Sequence, residues 1–168
     1  MPQENEFTFR ERIMRHWVNR FQNQRKVDGA RIEWDVVTRK PMTKNEQMLG
    51  DAVGIYDTSE RVTKEISYDV RILNIVFEFH HLVRDWETGD VPTVLNAALG
   101  EVQRVAGLDH QLGEIDPLNP GGPTYKLAIN CEEQGNEIDI GGEKPISVTG
   151  VLIVRVTYRT KSNDPFRR

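Results

Sequence analysis

The residues of this 168-residue chain suited to chemistry are four histidines, a single cysteine and a dense run of carboxylates. His80 and His81 are adjacent and invite a metal reading. Successive side chains on a strand point to opposite faces, however, so this pair is poorly placed to hold one ion. They are expected as exposed histidines at a strand end. Cys131 has no second cysteine to pair with, which excludes an internal disulfide and a zinc site built from four cysteines. It falls in the alternating set Leu127, Ile129, Cys131 and reads as a core residue rather than a thiolate nucleophile. Glu132, Glu133, Glu137, Asp139 and Glu143 gather along one hairpin. A metal-dependent nuclease or a glycosidase uses paired carboxylates, but nothing here defines an acid and its base, and a solvated acidic edge is expected. Gly121-Gly122 lies between prolines and Gly141-Gly142 between strands, so neither forms a phosphate loop ahead of a helix. No Gly-x-Ser-x-Gly elbow occurs. The expectation is a protein with no catalytic residues, no cofactor and no metal.

Composition narrows the partners. Lys and Arg number 22 against 26 Asp and Glu, a net charge of -4, which argues against a dedicated nucleic-acid reader. With 38% hydrophobic and 29% charged residues and a mean hydropathy of -0.56, the chain has the balance of a soluble globular domain. Its length suits one domain over residues 1–168, with flexible ends at about 1–6 and 161–168. Such a domain buries roughly 70% of its unfolded surface and needs no metal or disulfide to stand up. The N-terminal residues are polar and acidic, unlike a secretory signal. The longest apolar run, Val151–Val154, is far below the ~18 residues of a membrane span. Folding in a reducing cytoplasm, without membrane contact, is expected.

These residues must be held by seven elements. Ile13, Trp17 and Phe21, with Met14 and Val18 beside them, form one helical stripe over about 7–24, and arginines 10, 12, 15, 20 and 25 occupy the other face. Ile32, Trp34 and Val36 alternate with charged residues and predict a strand over 31–37. Residues 38–51 read as a long loop, and a short strand follows over 52–58. Thr63 to Val83 carries the longest β signal. Ile66, Tyr68, Val70 and Ile72 hold one phase and Leu73, Ile75, Phe77 and Phe79 the other, which predicts a bulge near Leu73–Asn74. Asp90 and Pro92 open a second helix that Gly107 closes. A proline-rich loop over 109–123 leads to a strand over 126–131, with Ile138 and Ile140 in the opposite phase beyond Gly135. The Gly141-Gly142 turn then leads into a final strand over 146–160. The order α-β-β-β-α-β-β predicts an α+β fold, a mostly antiparallel twisted sheet of four to five strands covered by two helices.

Charge is segregated along the chain. The first helix and the end of the last strand are basic, whereas residues 85–116 hold seven acids against Arg104 alone. Opposite patches suit head-to-tail self-association. Val151 and Ile153 also face away from the main apolar set of the last strand, so something must cover a second sheet face, and a neighbouring subunit is one candidate.

The C-terminal half carries a resemblance. A helix reading Val94-Leu95-Asn96-Ala97-Ala98-Leu99-Gly100-Glu101-Val102 leads to a Leu112-Gly113 loop and then to Asn136-Glu137-Ile138-Asp139. The final strand ends Val154-Arg155-Val156-Thr157-Tyr158-Arg159-Thr160, with Asp164-Pro165 beyond it. In this order of pieces the chain resembles the tail terminator (tail completion, minor tail protein U-like) family of long-tailed bacteriophages over nearly its whole length. The resemblance implies a compact α+β subunit that closes into a homo-oligomeric ring, a hexamer. Such a ring caps the tail tube at its head-proximal end, stops tube polymerisation and meets the head-side connector. It implies a virion protein, not an enzyme, assembled in the host cytoplasm. Candidate contacts to other copies, the tube or the connector are Arg39, Lys40, Lys44, Arg155, Arg159, Lys161, Arg167 and Arg168. A head–tail connector or neck protein, and a small metal-dependent nuclease using Glu137 or Asp139, stand as alternatives.

Overall fold

The computed structural model describes residues 7–83, 91–107, 111–114, 125–140, 147–162 and 164. Helix α1 spans Phe9–Gln22, and the Thr8 side chain caps it by accepting from the Glu11 N–H. Its predicted stripe is the buried one: Ile13, Trp17 and Phe21 have no exposed surface. Helix α3 covers Val91–Gly107 and buries Val94, Leu95, Ala98, Val102 and Val105. The Trp17 indole N–H donates to the Ala106 carbonyl at 3.3 Å, which ties the two helices together.

Five strands form one sheet in the order β1-β2-β3-β7-β6. They are β1 (Val36–Thr38), β2 (Ala52–Lys64), β3 (Tyr68–Leu82), β6 (Asn130–Ile140) and β7 (Ser147–Lys161). Strands β4 (Gly113–Glu114) and β5 (Tyr125–Lys126) make a separate antiparallel pair. The fold is therefore α+β, as expected; the expected strand over 126–131 is divided between β5 and β6, and three further departures concern the sheet.

First, the sheet is mixed, because β1 runs parallel to β2. Residues 39–51 carry the chain back along the sheet, so β2 starts at the same end as β1. That segment is not a plain loop. It contains a short helix α2 (Lys44–Met48), closed by a capping box in which Thr43 and Glu46 bond each other's backbone. Second, the expected strand over 31–37 pairs only at Val36–Thr38; Ile32 and Trp34 are buried as their alternation requires, but without a ladder.

Third, the long β signal over 63–83 is two strands. A tight turn at Glu65–Ser67 separates β2 from β3, with the Glu65 N–H donating to the Tyr68 carbonyl. No glycine or proline marks it. The bulge lies across from the predicted place: the extra residue is Thr58 in β2, between the pairs Asp57↔Ile75 and Ser59↔Asn74. Strand β3 keeps one phase throughout. Its odd-numbered residues from Asp69 to His81 face the helices, and the apolar Tyr68, Val70 and Ile72 belong to the opposite face. In β6, by contrast, the change of phase at Gly135 is a true bulge, between Glu133 and Gly135.

Both helices pack on the face made by Val53, Ile55, Leu73, Ile75, Phe77, Phe79, Leu152, Val154 and Val156. Phe77 sits at the middle of it, edge-on to Trp17 at 5.3 Å between centroids and 5.6 Å from Phe21. Beside it, Gly150 leaves room for Phe79, since a Cβ there would lie 2.6 Å from a ring carbon. The expected Gly141-Gly142 turn lies outside the described residues, but β6 and β7 pair antiparallel on either side of it. Phe77→Ala is expected to lower the unfolding free energy by about 3–5 kcal/mol in urea titrations. Gly150→Ala should lower it by about 1–3 kcal/mol, by overpacking against Phe79.

Candidate assembly surface

Strand alternation builds a second sheet face from the residues turned away from the helices. Cross-strand pairing arranges them in rows: Gly54–Glu78–Val151–Glu137, Tyr56–Val76–Ile153–Gly135, Ser59–Asn74–Arg155–Glu132 and Arg61–Ile72–Thr157–Asn130. Val70↔Arg159 and Tyr68↔Lys161 continue the face toward the β2–β3 turn. At the opposite end the segment 39–51 lies over it. The Lys40 carbonyl and Met42 crowd Gly54, where a Cβ would meet that oxygen at 2.7 Å. The Met42 N–H donates to Glu78 at 3.2 Å, and His80 Nδ1 lies 3.4 Å from the Gly50 carbonyl oxygen. Beyond this flap no described helix packs on the face. Tyr68, Val70, Ile72, Val151 and Ile153 are left half-buried along its centre. Val151 and Ile153 thus point where their phase predicted.

The basic candidates separate into two groups. Arg155, Arg159 and Lys161 all lie on this open face and are exposed. Arg159 rests its guanidinium 4.6 Å from the Tyr68 ring centroid, which leaves its edge free to donate. Arg155 stands between Asn74 and Glu132 with no ion pair among the described residues. Arg39 and Lys40 are engaged within the chain. Arg39 meets Asp57 at 2.9 Å and Glu11 at 3.5 Å, and Arg10 bonds the same Asp57 carboxylate. Burial raises the Asp57 pKa, but the bonds from Arg10 and Arg39 outweigh it and hold the group below its ordinary value. This cluster pins α1 to β2. Lys40 pairs with Glu46 at 3.2 Å, and Lys44 is exposed on α2. Arg167 and Arg168 lie outside the described residues.

Several acids have roles that periodicity did not reveal. Glu101 is buried on α3, where it accepts from Arg104 at 2.8 Å and from the Arg31 N–H at 3.2 Å, so it adds nothing to an acidic surface. Asp85, Glu87, Asp90, Asp109 and Asp116 lie outside the described residues. On the helix side of the far half of the sheet, Arg71 bonds Glu60 and the Thr160 hydroxyl, each at 3.0 Å, with Asp69 at 3.5 Å. The buried Tyr158 hydroxyl donates to Glu60; burial and that bond raise its pKa well above the ordinary value. A polar cluster therefore takes over beyond the apolar floor of this face. No local signal marks it, because its members come from three strands.

The chemistry-bearing residues are similarly dispersed. His80 and His81 do take opposite faces, but they are buried, at 6% and 3% exposure, rather than exposed at a strand end. His81 Nδ1 lies 2.9 Å from the Asp51 carboxylate, whose oxygen also accepts from the Leu82 N–H. His80 Nδ1 lies against the Gly50 carbonyl of the 39–51 flap, and His81 meets Asp51 at the end of that flap. Cys131 is buried as expected and lines a groove of 580 Å³ between α3 and the β6–β7 pair. Leu152, Val154 and Ala106 make that groove largely apolar, and its one carboxylate, Glu133, accepts from the Gln103 amide at 2.9 Å. Glu132, Glu137 and Asp139 face the open side of β6, whereas Glu133 faces the helices. Among the described residues no three His, Cys, Asp or Glu side chains come together to hold a metal ion. Nor is any described helix long and apolar enough to cross a membrane.

Burial lowers the His80 pKa from its ordinary 6.5, against smaller opposing effects of Gly50 and Asp51. The unfolded chain therefore takes up this proton first as pH falls, and stability declines. Melting temperature should drop between about pH 7 and about pH 5.5, by less in His80→Asn than in the parent chain. Compared with known proteins, the chain matches no protein-family model and no curated protein.

Proposed function

We propose that this chain is a structural virion protein that closes as a ring on the head-proximal end of a phage tail tube, ends tube growth and presents a surface to the head connector. The observation that carries the reading is the open sheet face. Its centre is apolar, from Tyr68 through Ile72 to Ile153, and Arg155, Arg159 and Lys161 rise beside it. A half-buried apolar stripe rimmed by cations is what a monomer leaves uncovered when another chain completes it. The resemblance to tail terminators supplies the kind of assembly, and the Val156–Thr160 ending on which it rests has a divided role in this fold. Tyr158 and Thr160 join the polar cluster on the helix side, while Thr157 and Arg159 are presented on the open face.

Native mass across a concentration series, with electron micrographs of large species, tests the reading. A hexamer of the 19.3 kDa chain with a central hole is expected, as is arrest of tube growth when it is added to polymerising tail tube protein. Ile72→Ser with Ile153→Ser should cost the monomer about 1 kcal/mol per site while abolishing ring formation or tube capping. A ring of different stoichiometry that leaves tube growth unaffected would favour a connector or neck role.

A further inference from the structure

Among the described residues the sheet ends in two long edges that pair with no further strand. Strand β6 is terminal on one side. On the other, β1 covers only Ala52–Gly54, so among the described residues β2 has no second strand partner from Ile55 to Lys64. An unpaired strand offers a row of N–H and C=O groups to another chain unless something blunts it. Here the two edges are long, and their exposed charges are opposite in sign. Strand β6 carries exposed Glu132, Glu133, Glu137 and Asp139 and no cation. Past its bulge, β2 carries exposed Arg61 and Lys64, neither with an ion-pair partner among the described residues. The acid on that stretch, Glu60, is already bonded to Arg71 and Tyr158. Each edge also exposes one large aliphatic on the helix side, Ile138 at 47% and Val62 at 40%.

The strand directions fit as well. Three antiparallel ladders separate β2 from β6, so the two run in opposite directions. A second copy displaced across the strands, by rotation about an axis roughly parallel to them, brings its β2 antiparallel to the first copy's β6. The helices then stay on one side of the joint sheet. Setting Val62 opposite Ile138 places Arg61 opposite Asp139 and Thr63 opposite Glu137. All four of these face the open side, whereas Val62 and Ile138 both face the helices. Faces, charge and apolar contact agree in a single register. Two β6 edges would instead set carboxylates against carboxylates, which disfavours an isologous dimer and leaves the head-to-tail contact.

We propose that β6 of one copy pairs antiparallel with the free edge of β2 in the next copy of this chain, so that the sheet runs on across the subunit boundary. This deepens the ring reading above and rests on it. The test uses Glu137→Lys with Asp139→Lys in one variant and Arg61→Glu with Lys64→Glu in another. Each variant alone should fold as a monomer with self-association weakened roughly 100-fold or more, because like charges then face each other. Mixed in equal amounts, the two should assemble again, since each variant edge meets its complement and copies alternate around an even-numbered ring. Backbone amides of residues 60–64 and 136–140 should gain protection from hydrogen exchange on assembly of the parent chain. A parent ring accompanied by normal assembly of both variants, or by unprotected edge amides, overturns the edge pairing and leaves the ring. A parent chain that stays monomeric at every concentration and on tail tubes overturns both.

Discussion

The fifteen-residue ladder between β3 and β7, from Tyr68↔Lys161 to Leu82↔Ser147, is the constraint on which the other features depend. Because both strands hold a single phase along it, every position on either strand is committed to one of two faces. Committing Leu73, Ile75, Phe77 and Phe79 with Leu152, Val154 and Val156 to one side creates the floor on which α1 and α3 settle. The same alternation sends Val70, Ile72, Val76, Val151 and Ile153 to the other side. The open apolar face and the closed core are consequences of one register.

The ladder outruns the layer that covers it. The two helices pack near Phe77 and Phe79, while the strands continue toward the Glu65–Ser67 turn. There the helix-side positions become Asp69, Arg71, Glu60 and Thr160, and ion pairs and hydrogen bonds replace apolar packing. Asp69 and Thr160 are buried there, and each group of the cluster meets at least one counterpart, as buried polar groups require. At the other end, the 39–51 flap folds over His80, Glu78 and Gly54, and Asp51 turns back to His81 and the Leu82 N–H. The sheet is thus closed at one end by a flap, held at the other by a polar cluster and left open between.

The proposed assembly uses the open central face and the two sheet edges. The carboxylates that invited a nuclease reading are distributed by the β6 bulge: Glu133 turns to Gln103 and the helices, Glu137 and Asp139 to the open side. Charge on a sheet edge also restrains indiscriminate strand pairing, and the proposed pairing of an acidic edge with a basic one uses that restraint.

Some of this was determined by sequence alone. The Ile13–Trp17–Phe21 stripe, the alternation of β7 and the change of phase at Gly135 are local periodicities, and a local period is all that a helix face, a strand face or a bulge requires. The Thr43…Glu46 capping box was legible in the same way, although residues 38–51 read as a loop. The basic candidates were visible by type, but their sequence did not show that Arg39 belongs to Asp57 and Glu11 whereas Arg155 remains on an open face. The supposed slip at Leu73–Asn74 failed because an apolar run on the second face looks, in one dimension, like a change of phase on the first. Only the tertiary structure decided the parallel β1, the buried histidines, the polar cluster and which edges stay free. The reason is separation along the chain: Arg10 finds Asp57 across 47 residues and Tyr158 finds Glu60 across 98, so no window of sequence contains both partners.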